Sequence, residues 1–316
     1  MSFEYVPVSD VVPQQNLSLD RRDMTAIASK SPADWAKVKA IYEKGANSKK
    51  GDGSARTFMG VATKKEVLAQ FPNGAQVFGT PDFLNAGAQA VINGTGRAKG
   101  VGDAARKQLL DKALLTILYG EILEELWAAQ EKVKQGNTDK AKGAPHNIDE
   151  AWAYYAGLKE GGKWNGPAGN AEKRENNFKL AGKIDEPLQK ALATAQAASI
   201  KGDAKSLDAA VVQVRGHLNA IYYLSAIRYI SNMVADTNAA ERETHAAEGW
   251  GFLQAIRPAA ETAFPGAKNA EAVYTRPAMQ PTTAKDVEAV YAGLSNPKVL
   301  AALAIPAGLS FAKPPA

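Results

Sequence analysis

"ALLTILYGEILEELWAA", residues 113–129, is the most apolar helical segment of the chain. It belongs to a longer periodic segment, about 103–135, that predicts one long helix. Its only charges are Glu121, Glu124 and Glu125, and its other sides carry leucine, isoleucine and aromatic residues. A helix that is apolar nearly all round is buried by neighbours, so we expect it at the centre of an all-α fold, a large helical bundle.

Other helices are indicated by periodic apolar residues and by their end signals. Ser31 with Pro32, and Thr80 with Pro81, have the pattern of an N-cap followed by proline at the first helical position. Runs of alternating β-branched residues, which would indicate strands, are missing from the sequence. The remaining predicted helices lie at about 146–160, 171–200, 204–236, 238–257, 284–293 and 297–304, with loops at 46–55, 136–145 and 161–170.

Two parts of the sequence resemble each other faintly. "LLTILYGEILEELW" followed by "HNIDEAWAYYAG" is similar to "HLNAIYYLSAIRYI" followed by "THAAEGWGFLQA". We therefore expect a single helical domain over 1–316, with 30–160 and 171–260 as candidate halves that share one core. The ends, 1–25 and 306–316, are expected to be extended tails.

Composition excludes several classes of function. The 316 residues carry 38 Lys+Arg against 33 Asp+Glu, but the basic residues are scattered, and no stripe suggests nucleic acid. Cysteine is absent, so thiolate metal sites and iron–sulfur clusters are excluded. No uncharged apolar run of about 18 residues suggests membrane insertion. The N-terminus lacks the features of a signal peptide, although removal of one is compatible with this start.

Three glutamates interrupt the central helix on one side. At about 100° per residue, Glu121, Glu124 and Glu125 fall in a sector that also holds Leu110 and Leu114. A buried carboxylate without a partner protonates or pairs, so three together require cations, a shared proton or a metal ion. Two interpretations follow, namely salt bridges at one edge of the bundle or a metal site.

Two further acidic sets lie at helical spacing, and each includes a histidine. They are Glu241, His245 and Glu248 in one set, and His146 and Glu150, followed by Tyr154, in the other. Each set by itself also fits a surface hydrogen bond or charges at a helix start. Helical bundles build metal sites from a Glu on one helix and Glu and His on others, all directed inward. We therefore expect these sets to meet the glutamates of the central helix, with Glu121 and Glu124 as the first ligands.

Oxygen and imidazole ligands without thiolate suit iron or manganese, with zinc and other divalent ions as alternatives. Arg228 is expected either to neutralise the Glu121 set or to hold an anion beside a metal. Tyr154 is a further candidate because tyrosine can bind ferric iron. His217 stands alone on an apolar face and is assigned no chemistry. Nucleophile and phosphate-loop motifs are missing, so no catalytic residue is predicted.

Three stretches carry a resemblance to a known family. They are "DWAKVKAIYEKGANSKKGDGSARTF" at 34–58, "HNIDEAWAYYAG" at 146–157 and "AEKRENNF" at 171–178. Together they resemble the iron-assimilation proteins of green algae, which are secreted periplasmic proteins induced by low iron or high carbon dioxide. The resemblance implies extracellular capture of iron, with Glu-x-x-Glu motifs as ligands, a pattern that Glu121 and Glu124 fit. Members of that family carry cysteines and this chain has none, so disulfides at the site do not carry over.

Three hypotheses of function follow. The first is a non-enzymatic periplasmic or extracellular protein that binds ferric or ferrous iron and passes it to a membrane transporter or reductase. A looser resemblance to imelysin-type bacterial proteins, through the H-x-x-E spacing of His245 and Glu248, also points to iron. The alternatives are a protein that binds bicarbonate or a carboxylate, and a carboxylate-bridged metal oxidase, which would need two metal ions.

Overall fold

The central helix forms as the sequence predicts. It spans Asp103–Lys134, with Asp103 in its first turn and Lys132 and Lys134 in its last, where each charge is favourable to the helix dipole. The computed structural model describes residues 3–314, so the outermost residues of both predicted tails lie outside it. The helices are α1 Val12–Gln15, α2 Leu17–Ala28, α3 Trp35–Lys44, α4 Phe58–Ala62, α5 Lys65–Leu68, α6 Gly74–Phe78, α7 Phe83–Ile92, α8 Asp103–Lys134, α9 Ala144–Ala156, α10 Ala168–Phe178, α11 Asp185–Lys201, α12 Ala204–Ala235, α13 Ala239–Ala263, α14 Lys268–Tyr274, α15 Ala284–Leu294 and α16 Pro297–Ala302.

Five helices form a closed ring at the centre. Helix α8 packs against α9 and α13, α12 packs against α11 and α13, and α11 closes the ring against α9. Helices α2, α4, α5 and α7 cover α8, while α14, α15 and α16 cover α12 and α13. The all-α prediction is confirmed; a short antiparallel pair, β1 Lys159–Glu160 and β2 Lys163–Trp164, makes a hairpin at the edge. Within residues 3–314, no helix has the length and apolar character needed to cross a bilayer.

Aromatic residues fill the space between the three longest helices. The Tyr119 ring of α8 is edge-on to Tyr222 of α12, with centroids 5.0 Å apart, and Tyr222 lies 6.0 Å from Phe252 of α13. The hydroxyl groups are satisfied, because Tyr119 donates to Asn219 Oδ1 at 2.7 Å and Tyr222 donates to the Leu115 carbonyl at 2.9 Å. Because these buried rings also hydrogen-bond through their hydroxyl groups, they favour one packing arrangement of the three helices. This packing determines the orientation of α8.

Gly120 lets a covering helix approach α8 closely. A Cβ atom at this position would lie 2.8 Å from Phe71 Cε2 and 2.9 Å from Val67 Cγ1, inside the normal separation of packed carbon atoms. The segment that carries Val67 and Phe71 starts at Lys64, the N-cap residue of α5. The missing side chain at Gly120 therefore brings Lys64 close to the glutamates that follow in α8.

The predicted long helices at 103–135 and 204–236 are confirmed as α8 and α12, whereas the predicted helix 171–200 is two helices. Helix α10 ends before Lys179, whose left-handed backbone conformation (φ 56°) turns the chain. The carboxylate of Glu175 then accepts hydrogen bonds from the backbone N–H groups of Ile184 and Asp185, at 2.7 and 2.9 Å. Glu175 of α10 thus caps the start of α11 and stabilises the break between the two helices. The apolar periodicity of the sequence does not reveal this break.

The two proline-marked helices start later than predicted. Ser31 and Thr80 are not N-caps; α3 starts after Asp34, which accepts a hydrogen bond from the Lys37 N–H at 2.9 Å, and α7 starts after Asp82. The Asp34 carboxylate replaces the expected hydroxyl as the cap of α3, whereas the Asp82 side chain makes no capping hydrogen bond, and each proline lies outside its helix. Helices α1, α2, α4, α5, α6 and α14 are not predicted, and all of them except α2 have seven residues or fewer, too few for a periodic signal.

The N-terminal segment is docked, so the prediction of an extended tail over 1–25 is wrong. Helices α1 and most of α2 lie within it. Before them, Asp149 of α9 accepts hydrogen bonds from the Ser9 N–H at 2.8 Å and the Ser9 hydroxyl at 2.6 Å. The Tyr5 ring stacks on Trp152 with centroids 5.4 Å apart. A buried carboxylate and an aromatic contact on α9 thus hold a segment that looked unstructured in the sequence.

The C-terminal segment 306–316 is also docked in its described part. The Phe311 N–H donates to the Tyr223 hydroxyl at 3.1 Å, and the Ser295 hydroxyl donates to the Phe311 carbonyl at 2.6 Å. Leu309 is buried. Residues 306–314 have no helix or strand, in keeping with the predicted tail, but a few apolar and backbone groups fix this segment on α12 and α15.

Candidate metal centre

The three glutamates of α8 form one buried group, which we call the glutamate cluster. Glu121, Glu124 and Glu125 are 4 %, 5 % and 5 % exposed, and one oxygen atom from each lies within 4.8 Å of the others. Their spacing along the helix directs them to the same side of α8. Like charges this close repel strongly when they are out of water, so the cluster needs neutralising partners.

Lys64 supplies one partner from the segment that packs over Gly120. Its Nζ atom lies 2.7 Å from Glu124 Oε2 and 3.7 Å from Glu121 Oε1. The third carboxylate is held differently, since the Asn147 amide of α9 donates to Glu125 Oε2 at 2.5 Å. One ammonium group and one neutral amide therefore face three carboxylates. The single positive charge of Lys64 cannot balance three ionised glutamates.

Helix α9 brings a fourth carboxylate to the same place. Glu150 lines the same cavity as the glutamate cluster. Its Oε1 atom accepts a hydrogen bond from the Gln14 amide and lies 3.6 Å from His146 Nε2. The Nδ1 atom of His146 is 2.8 Å from the Ser9 hydroxyl. The structure therefore brings the His146–Glu150 pair to the glutamate cluster, with Glu150 in the cavity and His146 behind it.

The cavity in front of the cluster has a volume of about 450 Å³. Its walls come from α8, from α9 and from the segment 50–64. Tyr154 lines it from α9, and Lys50 and Arg56 line it from the covering segment. Lys50 is exposed, so Lys64 and Arg56 are the two cations inside its mouth.

Some buried oxygen atoms around the cluster accept no hydrogen bond. Among the described residues they include Glu121 Oε2 and Asn147 Oδ1, which belong to cavity-lining residues, and Oε1 of Gln14. A buried unpaired acceptor costs roughly 1–3 kcal/mol. Carboxylate, amide and phenol oxygen atoms are suitable ligands for iron or manganese, so the donor set fits the metal that the sequence suggests.

Burial changes how the cluster titrates. Burial, only partly offset by Lys64, raises the pKa of Glu121 to about 7. Burial and the charge of Glu150 raise the pKa of Glu125 well above its ordinary value. Burial disfavours the Lys64 ammonium, but Glu121 and Glu125 outweigh it and raise the pKa of Lys64. Without a metal, the cluster therefore favours the Lys64 ammonium, and Glu121 is partly protonated at neutral pH.

Glu241, His245 and Glu248 do not join the glutamate cluster, so the expectation that the two faces meet is wrong. Glu241 is exposed, and His245 Nδ1 lies 2.8 Å from Asp236 Oδ1. Glu248 Oε1 lies 3.7 Å from the Nζ atom of Lys112 in α8. Lys112 precedes the first glutamate of the cluster by nine residues, roughly 13 Å along the helix. Helix α13 does pack on α8, but this set lies too far toward the start of α8.

Arg228 does not take the place expected for it. It lines another cavity, together with His245 and Glu248. Lys64 pairs with the cluster instead, and Arg56, whose Nη1 atom is buried without a hydrogen-bond partner among residues 3–314, is the guanidinium beside it. The expected charge compensation therefore exists, but it comes from the covering segment rather than from α12.

Three residues at this centre are missing from the sequence prediction. Asn147 lies three residues before Glu150 and seven before Tyr154, so an extended helical stripe on α9 could have included it. Lys64 lies sixty residues from Glu124 in a segment without periodicity, and Arg56 lies in the same segment. Nothing in the local sequence connects those two cations to α8.

The chain matches a described protein family, Fea1, the low iron-inducible periplasmic proteins, over residues 2–248. No curated protein and no solved structure matched the chain. The matched part contains the glutamate cluster, Lys64, Arg56 and all of the α9 residues around them. Because the match covers more than three quarters of the chain, the protein belongs to the family of low iron-inducible periplasmic proteins.

Proposed function

We propose that this protein binds iron for assimilation in the periplasm or outside the cell, and that the glutamate cluster holds the ion. The observation that carries the proposal is the cluster itself, in which buried carboxylates within 4.8 Å of one another open onto a cavity. The family's low-iron induction and periplasmic location support iron as the cargo. Glu121, Glu124 and Glu125 are the proposed ligands, with Glu150 and Tyr154 as further oxygen donors.

Binding in this proposal exchanges protons for the metal ion. Because the pKa of Glu121 is raised to about 7, the metal-free site is partly protonated near neutral pH, and burial shifts the pKa of Glu125 in the same direction. A cation that takes these oxygen atoms releases the protons, so affinity rises with pH until the carboxyls are ionised. Asn147 holds the Glu125 carboxylate in one orientation through its 2.5 Å hydrogen bond, which limits the rearrangement that binding requires.

The donor chemistry favours iron or manganese over zinc or copper. Oxygen donors dominate, and the nearest imidazole, His146, stands behind Glu150. Carboxylate-rich sites suit hard and borderline ions. Tyr154 would add preference for ferric iron, because phenolate is a strong ferric ligand.

We also propose that the role is capture and delivery rather than catalysis. The support is that one group of three metal-binding side chains occurs among residues 3–314. A carboxylate-bridged oxidase needs ligands for two ions about 3.5–4 Å apart and an open position for oxygen. In the capture role, a membrane transporter or reductase would take the ion from the mouth of the cavity.

The decisive experiment is anaerobic calorimetric titration of the chelator-treated protein with ferrous iron. We expect one ion per chain and no binding by the E121Q/E124Q double variant, since glutamine keeps the shape of glutamate without its charge. Repeating the titration in buffers of different ionisation enthalpy measures proton release, which should be larger at pH 6 than at pH 8.

Glu241→Gln is the matched control, because this glutamate is exposed and belongs to the set that lies away from the cluster. It should bind iron as the wild type does. The absence of saturable heat in the wild type, or full binding by the double variant, would remove the proposal. Two irons per chain would favour the oxidase instead.

A further inference from the structure

A second polar cavity lies between α10, α12 and α13. It has a volume of about 400 Å³, within the range of small-molecule sites, and we call it the arginine pocket. Arg174 and Arg228 line it, Lys173 stands at its rim, and Asn176, Asn177 and Asn232 add amide groups. No residue lines both this pocket and the cavity of the glutamate cluster.

Arg174 is the unusual group in the arginine pocket. It is 4 % exposed, its guanidinium donates a hydrogen bond to Ser225 Oγ at 3.2 Å, and it lies 5.7 Å from the Tyr229 ring centre. Its Nε atom is buried and has no hydrogen-bond partner among the described residues. Burial, with the nearby charge of Arg228, lowers the pKa of Arg174. A buried guanidinium in this state lacks the anion that would normally compensate it.

The carboxylates around the arginine pocket are already engaged. Glu248 accepts a hydrogen bond from the Tyr229 hydroxyl at 2.9 Å and lies 3.7 Å from Lys112 Nζ. Asp236 is paired with His245 at 2.8 Å. The two arginines therefore have an excess of positive charge in a partly enclosed space, and a metal cation would be repelled there.

We propose that the arginine pocket binds a small oxyanion of the phosphate or carboxylate class. Guanidinium groups bind such anions through paired hydrogen bonds, and asparagine amides supply additional neutral donors. The bound anion would supply the negative charge that compensates Arg174 and Arg228. His245 and Glu248, which the H-x-x-E spacing suggested as metal ligands, then form one wall of an anion site.

The test is calorimetric titration of the chelator-treated full chain with inorganic phosphate and, separately, with citrate, against sodium chloride at matched ionic strength. We expect saturable binding of at least one of the two anions. Arg228→Gln should weaken it by roughly tenfold or more, because a charged donor is lost. Phosphate binding tighter than citrate identifies the phosphate class, and the reverse order identifies the carboxylate class.

Two control variants and a second pocket variant keep the result specific. Lys190→Gln removes an exposed cation outside the pocket and should leave the dissociation constant unchanged. The E121Q/E124Q variant should also bind the anion normally, since it alters only the glutamate cluster. Arg174→Lys, which keeps the charge but loses the paired donors, should bind more weakly while remaining folded. If neither anion binds more than chloride does, or if Arg228→Gln binds as tightly as the wild type, the proposal is wrong.

Discussion

Glu121→Gln should make the metal-free protein more stable at neutral and alkaline pH. The Glu121 carboxyl has a folded-state pKa of about 7 against an ordinary value of 4.5, chiefly because it is buried. The folded protein therefore holds this proton more tightly than the unfolded chain does. Stability is greatest below pH 4.5 and falls as the pH rises to about 7, where the carboxyl finally ionises.

The magnitude follows from the same two values. One pKa unit corresponds to about 1.4 kcal/mol, so ionisation of Glu121 should lower the free energy of unfolding by roughly 3 kcal/mol between pH 4.5 and pH 7. Glutamine resembles the protonated carboxyl and does not titrate. The variant should exceed the wild type by less than about 1 kcal/mol at pH 5 and by nearly the full amount at pH 8.

Urea denaturation of chelator-treated protein at several pH values between 5 and 8 measures this difference. Glu186→Gln is the control, because Glu186 pairs with Lys190 at an exposed site and should leave the pH profile unchanged. Adding ferrous iron at pH 7.5 should stabilise the wild type and have less effect on Glu121→Gln. A variant that is less stable than the wild type at pH 8 would refute the reasoning, since it would mean that the ionised Glu121 is fully compensated.

Three further predictions concern the surroundings of the cluster. Gly120→Ala should destabilise the protein by about 1–3 kcal/mol, because the new Cβ would meet Phe71 and Val67 atoms at 2.8 and 2.9 Å. Gly87→Ala in α7 is the control, since a Cβ there meets open space, and it should be neutral or stabilising. Urea denaturation measures both variants. Truncation after Pro306 should lower the free energy of unfolding by about 1–3 kcal/mol, because the Tyr223 hydroxyl loses its hydrogen bond from the Phe311 N–H. Iron binding, measured by calorimetry, should be unchanged. Lys64→Met should tighten ferrous iron binding while lowering the melting temperature of the metal-free protein, since Glu124 loses its 2.7 Å ion pair; weaker iron binding would contradict this.

The part of the site that lies on one helix is predictable, because helical spacing alone decides which side chains share a face. Glu121, Glu124 and Glu125 are an example, and so are Glu150 and Tyr154 on α9. The apolar surroundings of the first three residues also predict their burial. These features depend on local periodicity, which is present in one sequence without any knowledge of the fold.

The contacts between helices are harder to predict. The sequence favoured the set on α13 as the main partner of the cluster and the pair on α9 as a second one, yet only α9 brings its carboxylate there. The difference depends on how far along α8 each neighbour packs, and this offset is decided by the shapes of many buried side chains. The docked ends at Ser9 and Phe311 were missed for a related reason, since a few tertiary hydrogen bonds hold them. The internal duplication stays a prediction.

Lys64 has a consequence for how affinity can be adjusted. Its ammonium contacts Glu124 and lies near Glu121, two of the proposed metal ligands, and its side chain is 36 % exposed, so it reaches in from the solvent side. It is in effect a tethered competitor that occupies the site until an ion displaces it. Because this competitor belongs to a short covering segment and not to α8, the proposed iron-binding role predicts that substitutions at position 64 change the affinity for iron while Glu121, Glu124 and Glu125 stay in place.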